Sequence, residues 1–142
     1  MKPSDLRIGN LVTVNSPEYW PQLKGIVLEV IGINQCKPVK GKENVFENTD
    51  YAVQLIDRKN YNQTYSQFLC FIEPIKSNEK LFTSLGLQEG ELGYYYKKSV
   101  MISIDNHIYI GETKTWIAEK NYIHELQNLY FDIEDEELVL QD

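Results

Sequence analysis

The spacing of apolar and polar positions divides the chain into a first half of short strands and a second half that mixes strands with helices. Leu11-Val12-Thr13-Val14 follows a turn candidate at Ile8-Gly9-Asn10. Gly25 to Ile33 is β-branched, apolar and bounded by glycines, Tyr51 to Ile56 is a third strand, and Phe68 to Ile72 a fourth, ended by Glu73-Pro74. Between them, Asn34 to Asp50 mixes Lys, Gly, Asn and Pro and predicts a long exposed loop.

The character changes at Ser77. As N-cap, with Lys80, Leu81, Ser84 and Leu85 behind it and Gly86 as the stop, Ser77 predicts a short helix near 78–85. Tyr94-Tyr95-Tyr96 then leads to a hairpin, Ser99 to Ile104 and His107 to Ile110, across Asp105-Asn106. A two-residue loop there sets Ile104 against His107 and Ile102 against Tyr109, with Met101 and Ile110 on the other face. Ile123, Leu126 and Tyr130 form an i, i+3, i+7 stripe, so a helix near 120–131 follows, and Glu137 to Leu140 predicts a last strand. The fold expected is α+β and β-rich: a small β-barrel over 1–75, then an antiparallel hairpin sheet with two helices over 76–142.

Composition leaves this picture standing. At 142 residues, 42% apolar and 25% charged, the chain needs no disulfide to hold a core and is neither low-complexity nor wholly disordered. Glu29 interrupts the longest apolar run, Ile26 to Ile33, well short of the ~20 residues that span a bilayer. Met1 to Asp5 carries no apolar stretch of a secretion signal, and Cys36 and Cys70 lack the C-x-x-C spacing of redox or zinc sites. A reduced cytoplasmic protein with no membrane partner is expected.

Charge is unevenly placed. Residues 1–75 carry eight cations and eight anions, so the whole net charge of −7 belongs to residues 76–142. Asp132, Glu134, Asp135, Glu136, Glu137 and Asp142 crowd the end. Such a field disfavours nucleic acid and suits either a solvated tail or a basic partner surface.

The opening Gly9 to Val14, the Lys24-Gly25-Ile26-Val27 start of the second strand and a third strand ending near Asp57 resemble the SH3-like small barrels, and an OB-type barrel would use similar strands. Three further segments stand together: Asp5 to Val12, Glu73-Pro74-Ile75 running into Leu81 to Leu87, and Tyr122 to Phe131 with Glu136-Glu137-Leu138. These resemble an uncharacterised family of small Bacteroidetes phage and prophage proteins. Where those relatives have a small-residue turn ending in Gly, this chain has Asp132-Ile133-Glu134-Asp135. The resemblance implies a setting, a mobile-element protein in a bacterial cytoplasm, and no activity.

Candidate chemistry is sparse. His124-Glu125-Leu126-Gln127-Asn128 has Asn where the zinc motif H-E-x-x-H has its second histidine, so His124 and Asn128 are expected to pack or hydrogen-bond in a buried helix. No nucleophile elbow or P-loop is present, and no catalytic residue, metal or cofactor is expected. Tyr19 and Trp20, in a loop stiffened by Pro17 and Pro21, are of the types that anchor interfaces, or else they form a lid on the barrel. With Asp132, Glu134, Asp135, Glu136 and Glu137 they are the candidate contacts of a non-enzymatic protein that binds a protein or nucleoprotein partner. An anti-defence inhibitor of the anti-CRISPR kind, offering carboxylates in place of phosphates, is its sharpest form. The alternative is an RNA or single-stranded DNA binding module using Tyr94, Tyr96, Lys97 and Lys98, against which the net charge counts. Strand alternation sends Tyr95 to one face and Tyr94 and Tyr96 to the other.

Overall fold

The computed structural model describes residues 1–15, 20–36 and 51–141. Tyr19, and residues 37–50 of the loop expected over Asn34 to Asp50, lie outside the described residues; Asn34 and Gln35 belong instead to the second strand, paired with Ala52 and Tyr51. The protein is α+β and sheet-rich, with two five-stranded antiparallel sheets. It divides into two compact units, Met1–Ile75 and Lys76–Asp142.

In the first unit the strands are β1 (Leu11–Val14), β2 (Leu28–Gln35), β3 (Tyr51–Asp57), β4 (Gln63–Phe68) and β5 (Ile72–Pro74), in the order β4-β3-β2-β1-β5. The turn before β1 forms as the sequence predicts. Gly9 takes φ +95°, its N–H donates to Val30 O, and the buried Asn10 accepts the Arg7 N–H on Oδ1 at 2.8 Å. Alternation drives the core: Val12, Val14, Leu28, Val30, Val53 and Leu55 point inward and are closed over by Leu6, Leu23, Leu69 and Ile72.

Two expectations are corrected here. The residues Phe68 to Ile72 are not one strand: Leu69–Phe71 is a 3₁₀ turn, and the strand pairing with β1 begins at Ile72. The second strand starts at Leu28 rather than Gly25, because Gly25 takes φ +76° in the preceding turn. β4 went unpredicted. Its sequence, Gln-Thr-Tyr-Ser-Gln-Phe, is polar because it is an edge strand with Thr64, Ser66 and Phe68 turned outward.

The second unit holds α1 (Glu79–Ser84), β6 (Gln88–Glu89), β7 (Tyr95–Lys97), β8 (Val100–Ile102), β9 (His107–Ile110), β10 (Thr115–Glu119) and α2 (Ile123–Glu134), with sheet order β10-β9-β8-β7-β6. The N-cap of α1 is Asn78, not Ser77: Asn78 Oδ1 accepts the Leu81 N–H at 3.0 Å, while Ser77 N–H is taken by Asn121 O. Gly86 ends the helix at φ +82°, as predicted. The stripe on α2 is buried, with Ile123 and Leu126 at 0% exposure and Tyr130 at 1%. His124 is buried too and stacks on Tyr122 at 6.1 Å.

The β8–β9 hairpin is shifted by one residue from the predicted register. Ile102 pairs with Ile108 and Met101 with Tyr109. The cause is a three-residue loop: Ser103 N–H donates to His107 O, Ser103 Oγ accepts the His107 N–H, and Asn106 takes φ +64°. Ile104 therefore leaves the sheet for solvent. β10 also went unpredicted, and a bulge between Trp116 and Ala118 explains why, since it breaks the alternation a strand would show. The expected last strand at Glu137–Leu140 does not form. That segment is irregular, held by Gln127 Nε2 donating to Leu138 O at 2.8 Å and by the buried Leu138 side chain.

Candidate functional site: an aromatic sheet face

The sheet of the second unit has two unlike faces. On the inner one, Tyr95, Val100, Ile102 and Ile108 are buried. Phe82 of α1 meets the Tyr95 ring at 5.4 Å, and the Lys97 ammonium lies 5.9 Å from the centre of the Tyr130 ring of α2. Both helices thus cover that face.

The outer face follows from the registers. Gln88 pairs with Tyr96, Tyr96 with Met101, Met101 with Tyr109, and Tyr109 with Trp116. One cross-strand row therefore runs Tyr96, Met101, Tyr109, Trp116 over four adjacent strands, about 14 Å at the usual strand spacing. Tyr96 is 42% and Trp116 58% exposed, while Met101 and Tyr109 are half-buried. Tyr94, two residues before Tyr96, shares the face and sets its ring edge-on to Tyr109 at 6.1 Å. Gly90 backs the Tyr96 ring: a Cβ there would lie 3.2 Å from Tyr96 Cε1.

Two turns border the row on one side. Lys98, in the β7–β8 turn, and Lys114, in the β9–β10 turn, both take φ +52°, a conformation more usual for Gly or Asn. Between these turns and the row lies an open cleft of about 430 Å³, lined by Tyr96, Lys98, Met101, Glu112 and Lys114 among others. Along the other side of the row, His107 Nε2 stands 3.7 Å from Glu119 Oε2 and its ring meets Trp116 edge-on at 6.5 Å.

The residues singled out in the sequence fall in different places. Tyr94 and Tyr96 lie on the aromatic face, and Lys98 on its rim. Lys97 points the other way, donating to Leu85 O at 3.5 Å. Met101, Tyr109 and Trp116 were missed as site residues. The predicted hairpin register sets Tyr109 opposite Ile102 rather than Met101, and the sequence predicts no strand at Trp116.

The acidic end is in part consumed by the fold. Glu134 Oε1 accepts both the N–H and the hydroxyl of Ser99, and Glu136 binds the Lys98 ammonium and the Tyr130 hydroxyl. These contacts tie the end of α2 to the β7–β8 turn. They also shift titrations: the hydrogen bonds from Lys98 and Tyr130 hold the Glu136 carboxyl below its ordinary value, and the bond to Glu136 raises Lys98. Burial and the same carboxylate push the Tyr130 phenol up. Asp135 is the left-handed residue that ends α2, at φ +53°. Asp132 and Glu137 are exposed. In the first unit, Trp20 is 39% exposed and packs edge-on against Tyr65 at 5.7 Å.

Among the described residues, no group of three or more His, Cys, Asp or Glu side chains is placed to hold a metal ion, and no helix is long and apolar enough to cross a membrane. Comparison with protein families, curated proteins and solved structures finds no match to this chain.

Proposed function

We propose that this is a non-enzymatic binding protein that engages a macromolecular partner through the outer face of its second sheet. The row Tyr96, Met101, Tyr109, Trp116 carries the proposal. The inner face of that sheet already has its helices, so large, partly exposed rings in register on the outer face are not needed for the unit's own core. Aromatic residues and Met are the types that interfaces favour. His107, beside Trp116 and Glu119, adds a further ring to that face.

In the first unit, the order β4-β3-β2-β1-β5, with a 3₁₀ turn leading the fifth strand back beside the first, supports the SH3-like barrel over the OB type. With the phage-protein resemblance, the protein is then a binding component that a mobile element brings into a bacterial cytoplasm. An anti-defence role there would act through the aromatic face. Carboxylates replacing phosphates would be a weak device, because Glu134 and Glu136 already have internal partners.

The test is capture of partners from the native host by the wild-type chain, by Tyr96→Ser/Trp116→Ser and by Trp20→Ser. Loss of the specific partner only in the double variant, with unchanged circular dichroism, is expected. Capture that ignores the double variant but needs Trp20 would move the site to the first unit.

A further inference from the structure

We infer that the ligand of the aromatic face is a single-stranded nucleic acid, two or three of whose bases stack across Tyr96, Tyr109 and Trp116 while its phosphates follow the rim at Lys98 and Lys114. The inference rests on the binding role proposed above and adds the class of ligand.

Geometry is the first support. The row and the rim run side by side across the strands: Lys98 follows Tyr96 by two residues, in the turn after β7, and Lys114 precedes Trp116 by two, in the turn before β10. A nucleotide with its ring on the row therefore has its charge toward the lysine-bearing turns. The row's length of about 14 Å suits two or three bases, the number such sheet platforms stack. Stacking asks for ring faces and tolerates any base, which matches a surface offering aromatics and a Met.

Charge placement is the second. The two lysines stand on one rim only, each at a left-handed turn position that a sequence could fill more cheaply with Gly or Asn. Two acids also reach this rim, Glu134 bound at Ser99 and Glu136 at Lys98, so Lys98 is partly neutralised and Lys114 is the lysine with the larger share in phosphate binding. Glu112 also lines the cleft, and Lys98 is shared with Glu136, so the rim holds one or two phosphates rather than many. An apolar or acidic peptide would use the rings or the lysines, but has no reason to need both side by side.

The experiment is an anisotropy titration of end-labelled oligo-U and oligo-dT, about 12 nucleotides long, with the full chain at about 50 and 200 mM salt. Binding is expected, with log K falling against log salt at a slope of about −0.7 to −1.4, one or two phosphates. Tyr96→Ser and Trp116→Ser should each weaken it at least about fivefold, and Trp116→Phe should restore most of the loss. Lys114→Gln should flatten the slope by about 0.7. No binding by the wild type at the lower salt overturns the inference, as does binding indifferent to Tyr96 and Trp116. If oligonucleotides fail while partner capture still depends on those two residues, the occupant is a protein and the binding role stands. If capture is indifferent as well, both fall.

Discussion

Several non-glycine residues sit at positive φ, and three of them, Asp135, Lys98 and Lys114, bear directly on stability and function. Asp135 ends α2 in the left-handed conformation, with its carboxylate at the negative end of the helix dipole. Asparagine keeps the tolerance for that conformation and removes the charge. Asp135→Asn should therefore raise stability by about 0.3 to 1 kcal/mol, read as a higher denaturant midpoint at unchanged slope. A lower midpoint would mean that the carboxylate makes a contact worth more than the dipole costs. No glycine marks that helix end in the sequence, where the apolar stripe predicts a stop near residue 131. Lys98 is no easier to find. Nothing in Tyr-Tyr-Lys-Lys-Ser marks the second lysine as the turn residue until the pairing of Lys97 with Val100 is known. At Gly90 a methyl group would lie 3.2 Å from the Tyr96 ring, so Gly90→Ala should shift that exposed ring by a few tenths of an ångström and weaken ligand binding by less than Tyr96→Ser, measured in the same titration.

At the scale of elements, what could be read was whatever packs alternately or helically against a single core. The α2 stripe emerged because its apolar positions recur at helical spacing, and β1 and β3 because they are short apolar, β-branched runs bounded by polar residues. Leu126→Ala on that stripe should cost about 2 to 5 kcal/mol in urea unfolding. A cost below about 0.5 kcal/mol would contradict the 0% exposure of that side chain. β4 and β10 stayed hidden for physical reasons: each is an edge strand, one nearly all polar and the other bulged. Without β10 the row loses Trp116, and without the observed hairpin register it loses the pairing of Met101 with Tyr109, so alternation recovers only Tyr94 and Tyr96. The link between α2 and the β7–β8 turn has its own signature. Glu136 titrates below its ordinary value of 4.5 in the folded protein, so its contribution is present above that pH and is lost as pH falls through the lowered value. Glu136→Gln should accordingly make stability less dependent on pH below about 4.5, with the two proteins' unfolding midpoints converging as acid is added. Parallel curves would show that the carboxylate titrates no differently in the folded chain.

At the scale of the whole molecule, net charge and local contacts make opposite forecasts. All of the −7 lies in residues 76–142, and on charge alone any acid removed there should relieve repulsion and stabilise the fold. The contacts say otherwise for Glu136, whose loss leaves the Lys98 ammonium and the Tyr130 hydroxyl without their charged acceptor. The same loss releases Lys98 toward the rim of the aromatic face. Glu136→Gln should then lower thermal stability near neutral pH and, at the same time, tighten oligonucleotide binding and steepen its salt slope by up to about 0.7, one more phosphate held. Opposite signs in the two readouts are the distinguishing feature, because a general weakening of the unit would loosen the ligand along with the fold. A variant that is both more stable and unchanged in binding would return the acidic end to the role of a solvated tail and leave Lys114 as the lysine at the rim that acts on phosphate.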